Sequence, residues 1–423
     1  MDAKKILKNQ IIKIQPTKET LSSIEKKSKV ILSLLKDKIK SKKIKAQIFI
    51  GGSFAKKTLL KGTNYDVDIF IRFDKKLNNI STLLEKIIKS IPEIKFDKIH
   101  GSRDYFRITE NNVIFEIIPV YKLKSPAEAR NVTDLSYFHV NYIQSKLKNN
   151  KLSNEILLAK SFCQAHSLYG AESYIQGFSG YGLECLIINY KSFLKMLKSL
   201  SNVKDKIILD PEKKYKNKNE VLFSLNEARL KSPVVLVDPT GQERNVLAAL
   251  SNEIFSKFQK KAREFLKKPS EKFFEKEDKD IDKMRIFAIN KKAEFINLTL
   301  ETNRQEGDIA GTKMKKFSKF LENEIERYFT IIDKEFVYLK GKESHFYLVV
   351  KPKDKIIISG PPIEMKVHAE AFRKQHSHTH IKNNKLYSEM KIQFSIKSFL
   401  EKWIKDNNEK INSMGITKIT SLH

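Results

Sequence analysis

The sequence predicts an α+β multidomain protein, and three observations carry that expectation. Its 423 residues are too many for one ordinary core. Short apolar runs broken by glycine turns alternate with a helical pattern up to about residue 145, and after it apolar residues recur every three or four positions. Beyond Pro269, strand-like stretches frame one amphipathic helix. The expected domains are therefore 1–145, 146–270 and 271–423, the first α/β, the second mostly helical, the third α+β.

In the first domain, Pro16-Thr17 is a helix start, and Leu21, Ile24, Ile31, Leu35 and Ile39 follow at helical spacing. Ile44 to Ile50 reads as a strand, GGS as its break, and Asp66 to Phe73 as a second strand. A helix over Ile80 to Ile91 and strands near Lys95–His100, Asp104–Thr109 and Val113–Pro119 complete it. In the second, NEILLAKSFCQAHSLYGAESY and GLECLIINYKSFLKML predict helices, Lys204 to Glu220 a loop, VVLVDPTG a strand and turn, and NVLAALSNEIFSKFQKKAREFLKK a helix. In the third, MRIFAIN, AEFINLTL, EFVYLK and HFYLVVKP predict strands around the helix KKFSKFLENEIERYF.

Lysine and arginine number 81 against 50 acidic residues, a net charge of +31. Such a surface favours a polyanionic partner, although only 11 of the cations are arginine and a bias toward lysine contributes. No apolar run approaches the length of a membrane span, and MDAKKILKNQIIKIQP lacks the apolar core of a secretory signal, so a soluble cytoplasmic protein without membrane contact is expected. Cys163 and Cys185, both in apolar pattern, read as buried reduced thiols.

The chemistry is expected in GGSFAKKTLLKGTNYDVDIFIRF. A strand turns alternate side chains to one face, so Asp66 and Asp68 lie side by side and repel unless a cation sits between them. Gly52 and Ser53, after the preceding strand, form a corner suited to phosphate. Glu116 is the lone charge in NNVIFEIIPVY, which suits a third carboxylate at the same metal. A phosphate corner beside paired carboxylates is what a magnesium-bound triphosphate requires. The HSHTH run (His376, His378, His380) offers no cysteine or carboxylate and reads as a solvated turn.

The Gly-Ser pair followed by Asp-x-Asp resembles the signature of polymerase-β-like nucleotidyltransferases. FEIIPVYKL, TDLSYFH, the AKSF to ECLI stretch, VDPTGQERNVLAALS and SGPPIEMKVHAEAFRKQH, in that order, resemble the archaeal, class I CCA-adding tRNA nucleotidyltransferases. The resemblance implies a palm domain, a helical nucleotide-recognition domain and a C-terminal tRNA-binding body. It implies addition and repair of the CCA end of tRNA from CTP and ATP, without a template, with two Mg²⁺ ions. It assigns Asp66, Asp68 and Glu116 to metal and catalysis, and Gly52 and Ser53 to the phosphate corner. Lys160 and Tyr169 go to the triphosphate, His139 to the nucleotide and Arg244 to the base edge. Two departures stand out: Glu116 replaces the usual Asp, and Lys57 replaces a small residue. The C-terminal module, with aromatics such as Phe346 and Tyr347, is the expected grip on the acceptor and T stems, and a homodimer is left open. The competing readings are a poly(A) polymerase-like enzyme and a non-catalytic basic RNA-binding protein.

Overall fold

The computed structural model describes residues 3–147, 150–241, 243–276, 280–376 and 378–422. The chain forms two compact units, Met1–Glu277 and Asp278–His423. No helix among the described residues is long and apolar enough to cross a membrane.

The first unit opens with helices α1 (Ala3–Ile14) and α2 (Lys18–Ser41). The Thr17 hydroxyl accepts the Thr20 amide at 3.2 Å and so starts α2 where the Pro-Thr pair places it. There follow β1 (Ala46–Ile50), the one-turn helix α3 (Gly52–Ala55), β2 (Tyr65–Phe73), α4 (Ile80–Lys89), β3 (Asp97–Ile99), β4 (Tyr105–Glu110) and β5 (Val113–Tyr121). They build a five-stranded sheet in the order β1-β2-β5-β4-β3. β2 and β5 run parallel and the other pairs antiparallel. Ile24, Ile31 and Leu35 of α2 and Leu84 and Ile87 of α4 share one core with Val67, Ile69 and Ile71 of β2. The odd positions of β2 thus serve the core, and the even ones turn to the opposite face.

The helical part of this unit comprises α5 (Ser136–Lys146), α6 (Asn150–Ala165), α7 (Gly180–Tyr190), α8 (Phe193–Ser201), β6 (Ile207–Leu209), α9 (Lys218–Ser224), α10 (Glu227–Leu230), β7 (Val234–Leu236) and α11 (Asn252–Lys267). Phe162 is ringed by Phe193, Phe258, Phe265 and Phe274 at centroid distances of 5.6 to 6.1 Å. Cys163 and Cys185 are free and buried, and burial pushes both thiols up. Two stretches differ from expectation. The charged segment 204–220 contains β6, which pairs in parallel with β7, because Ile207–Leu209 finds a partner strand distant in sequence. NVLAAL does not begin a helix: Asn245 Oδ1 takes the Leu236 and Leu247 amides at 2.9 Å each, holding a turn, and α11 starts after the Ser251 cap.

The second unit begins with α12 (Ile281–Asn290), where MRIFAIN had read as a strand. Asp280 caps it through the Lys283 amide at 3.1 Å, and Met284 and Ala288, four apart, form its buried side; a short apolar run fits either period. β8 (Glu294–Glu301), α13 (Asp308–Glu326), β9 (Phe329–Tyr338), β10 (Glu343–Pro352), β11 (Lys355–Pro362), α14 (Lys366–Gln375), β12 (Thr379–Lys382), β13 (Lys385–Lys391), α15 (Ile396–Asp406), α16 (Asn408–Ser413) and β14 (Lys418–Leu422) follow. The sheets run β14-β8-β10-β9 and β11-β13-β12. Phe317 and Leu321 of α13 and Leu400 and Trp403 of α15 pack with Leu298, Phe346 and Leu348. Phe346 is therefore core, while Tyr347, on the other face, is half-buried beside Phe295 and His345. His376 ends α14 against Phe372, and His380 lies on β12 over Tyr387.

Candidate active site

Asp66 and Asp68 lie on the face of β2 turned away from α2 and α4, and in the parallel register Asp68 stands opposite Glu116 of β5. The three carboxylates expected to act together therefore share one sheet face. Burial, then the Glu116 charge, pushes the Asp68 carboxyl up to about 7, and Lys56 opposes the shift. Glu116 Oε1 accepts from Arg107 Nη2 at 3.0 Å, and Arg107 is its cross-strand partner on β4.

The two glycines explain how the chain reaches this face. The Gly51 amide donates to the Asp68 carbonyl at 2.8 Å, and a Cβ on Gly51 would lie 2.4 Å from the Phe70 ring. Gly52 has φ of +62°, and a Cβ there would stand 1.6 Å from Asp68 Oδ2. Ser53 follows in the first turn of α3, half-buried. Carboxylate oxygens are the donors that a hard divalent cation takes. Among the described residues no three such side chains already surround one point. Asp66 and Asp68 share their sheet face with Glu116, and Glu116 would have to exchange Arg107 for a cation to join them.

Beside these carboxylates lies a buried ionic cluster. Glu184 of α7, fully buried, accepts from Lys56 Nζ at 2.6 Å, Lys160 Nζ at 2.8 Å and Thr58 Oγ1 at 2.7 Å. Lys160 Nζ also donates to Thr58 Oγ1 at 2.9 Å and to its carbonyl at 3.2 Å. Burial acts to raise the Glu184 carboxyl, but the two ammoniums outweigh it and hold it at about 2. Two lysines against one glutamate leave one net positive charge. Tyr169 packs alongside, with its hydroxyl where a Cβ on Gly180 would come within 2.7 Å, and burial pushes that hydroxyl up. Lys57, which had drawn notice in the sequence, is exposed; its neighbour Lys56 is the buried cation.

A second cluster gathers His139 and Arg244 around Asp238. Asp238 Oδ2 lies 3.2 Å from both His139 Nε2 and Arg244 Nη1, and those two nitrogens are 3.3 Å apart. Asp238 Oδ1 accepts from the Tyr181 hydroxyl at 3.1 Å, the Thr240 amide at 2.9 Å and the Thr240 hydroxyl at 2.8 Å. The His139 ring stacks on Tyr181 at 3.9 Å. Burial pushes the imidazole below its ordinary value against the pull of Asp238. Burial would raise Asp238, yet His139, the Thr240 amide and Arg244 bring it below the usual carboxylate range. Lys56 joins the two clusters: its ammonium sits 5.9 Å from the Tyr181 ring centre, and its charge acts on both Asp68 and His139.

Sequence reasoning missed Lys56, Glu184, Asp238, Tyr181 and Arg107. Glu184 carried the same signal that singled out Glu116, a lone charge in an apolar element. Asp238 was hidden in what reads as an Asp-Pro turn.

Comparison with known proteins places the chain as a whole. Residues 1–137 match the family described as Second Messenger Oligonucleotide or Dinucleotide Synthetase domain, and residues 154–275 match that described as tRNA nucleotidyltransferase, second domain. Among solved structures, a cytoplasmic RNA terminal U-transferase superposes with a TM-score of 0.51 at 14% identity, over 65% of this chain and 99% of that one. The Cid1 poly(U) polymerase does so with 0.51 at 12%, over 64% and 98%. The fold is that of the polymerase-β-like nucleotidyltransferases. The CCA-adding enzyme of Nanoarchaeum equitans is 33% identical over 359 residues, 82% of this chain and 85% of its own. That of Methanocaldococcus jannaschii is 29% identical over 414 residues, 92% and 88%. The chain belongs to the family of archaeal CCA-adding enzymes.

Proposed function

We propose that the protein completes and repairs the 3′-terminal CCA of tRNA, taking CTP and ATP as substrates in the cytoplasm and releasing pyrophosphate. The observation that carries this reading is the pairing of Asp68 with Glu116 on the face that also holds Asp66, in a chain of this family. Two Mg²⁺ ions held there would lower the pKa of the attacking 3′-hydroxyl and neutralise the departing phosphates. Asp66, Asp68 and Glu116 would be their ligands. Gly52 allows the triphosphate close to the backbone, and Ser53 supplies a hydroxyl. The net positive cluster of Lys56, Lys160 and Glu184, with Tyr169 packed beside it, favours the triphosphate's negative charge, while His139 and Arg244 face the base. Arginine's planar fork suits cytosine and adenine, which both offer ring-nitrogen acceptors.

The basic second unit is the proposed holder of the acceptor and T stems, recognised through backbone and shape. A homodimer in solution would be read by light scattering. The deciding experiment incubates the protein with tRNA lacking its 3′ end, each labelled nucleotide and Mg²⁺, and sequences the product ends. Addition that stops after CCA supports the reading, and a continuing homopolymer tail replaces it with a poly(A) polymerase-like activity.

A further inference from the structure

Asp238 is a fully buried carboxylate at the end of β7 that neither the metal site nor the triphosphate cluster uses. A buried charge persists only where its lone pairs are satisfied, and each of its oxygens has a separate set of partners. Oδ1 is held by the Thr240 amide, the Thr240 hydroxyl and the Tyr181 hydroxyl, one of them main chain. With that oxygen fixed, the carboxylate cannot turn, so the direction of Oδ2 is fixed too. Oδ2 meets Arg244 Nη1 and His139 Nε2. The main chain repeats the tie, since the Asp238 amide donates to the Arg244 carbonyl at 2.9 Å. Among the described residues, Nη1 is the guanidinium nitrogen with partners, and the side chain keeps 28% of its surface exposed.

We propose that Asp238 is the positioning residue for base selection: it clamps Arg244 by one nitrogen so that the remaining N–H donors face the nucleobase in one orientation, with Tyr181 steadying both Asp238 and the stacked His139. This rests on the CCA-adding reading given above. Cytosine N3 and adenine N1 are acceptors, so a fixed row of donors suits both. Uracil carries a hydrogen at N3, which faces those donors head-on. A guanidinium free to swing would instead reach the uracil carbonyl oxygens, and the rejection of UTP would weaken.

The test measures kcat/KM for CTP, ATP and UTP with the full-length protein and tRNA lacking its 3′ end, comparing the unaltered protein with Asp238→Asn and Tyr181→Phe. In Asp238→Asn the preference for CTP over UTP is expected to fall by at least about tenfold, since selection by hydrogen bonds is lost when the donors are not held. Tyr181→Phe, which keeps the ring under His139 and removes one bond to Oδ1, is expected to shift the same ratio less. A uniform loss for all three nucleotides, with the ratio unchanged, overturns the proposal and leaves Asp238 a structural residue. Should Asp238→Asn fail to fold, the ratio in Tyr181→Phe decides by the same criterion. Failure of the unaltered protein to add C or A to tRNA overturns the reading beneath it, a result distinct from either.

Discussion

Replacing Glu184 by alanine is expected to strip the cluster of its anion and leave Lys56 and Lys160 facing each other across Thr58. Both lysines are nearly buried, 9% and 3% exposed, so neither can recover its hydration. Removing one partner of such a pair costs about 3–5 kcal/mol, because the remaining charge is left uncompensated. The lowered carboxyl gives a second figure. The Glu184 carboxyl drops from its ordinary 4.5 to about 2. At about 1.4 kcal/mol per pH unit this is a contribution of about 3 kcal/mol. Because the folded value lies below the unfolded one, that stability is present above pH 4.5 and lost as pH falls toward 2. The assay is thermal denaturation of the full-length protein and of Glu184→Ala and Glu184→Gln, from neutral pH down to about pH 3. The neutral-pH loss in Glu184→Ala should lower the first transition by roughly 10 °C at this domain size. The gap between the natural protein and Glu184→Gln should narrow on acidification. A loss below about 1 kcal/mol in Glu184→Ala, or a gap that does not change with pH, would refute the reasoning.

Asp68→Asn is expected to abolish nucleotidyl transfer in a single-turnover assay yet leave tRNA affinity unchanged, and retained transfer would remove Asp68 from the metal site. The same substitution should stabilise the metal-free protein. A carboxyl raised from 3.8 to about 7 favours the fold at low pH and opposes it as pH rises through that window. A gain of about 1–2 kcal/mol near pH 8, with no gain near pH 4, is the expected melting result for a partly exposed group. Gly52→Ala should reduce incorporation by about a hundredfold or more, since an atom 1.6 Å from Asp68 Oδ2 must push that carboxylate from its place. Arg107→Ala should lower the Mg²⁺ concentration giving half-maximal rate, because it removes the cation that competes for Glu116; an unchanged or higher requirement counts against that exchange. Affinity for tRNA should fall steeply with added salt in a filter-binding titration, and a flat response would make the +31 charge incidental.

Much of the palm was legible because its logic is local. The alternation in YDVDIFIRF sends Val67, Ile69 and Ile71 inward and Asp66 and Asp68 outward whatever the strand pairs with. Glu116 was legible as the lone charge of its strand, while its place opposite Asp68 comes from the parallel register of β2 and β5. What could not be read were contacts whose partners stand far apart in the chain. Lys56 meets Glu184 across 128 residues, and His139 meets Asp238 across 99. Nothing in AKKT distinguishes Lys56 from Lys57, yet one is buried in an ion cluster and the other is in water. MRIFAIN failed for another reason: seven residues carry too little periodicity to separate a helix from a strand, and the Asp280 cap tips the balance.

The stretch from Ala55 to Lys61 has one more consequence. Its Ala55 carbonyl accepts from Gln144 at 2.9 Å, its Lys57 carbonyl from the Ser153 hydroxyl, its Lys61 amide donates to Ile14 at 2.7 Å, and Lys56 and Thr58 are bound to Glu184. Seven residues are thus riveted to α1, α5, α6 and α7 at points along their whole length. A joint fastened so often does not hinge, so the sheet and the helices flanking it travel as a single rigid jaw. In the proposed reaction, successive nucleotides would then enter a socket of constant shape.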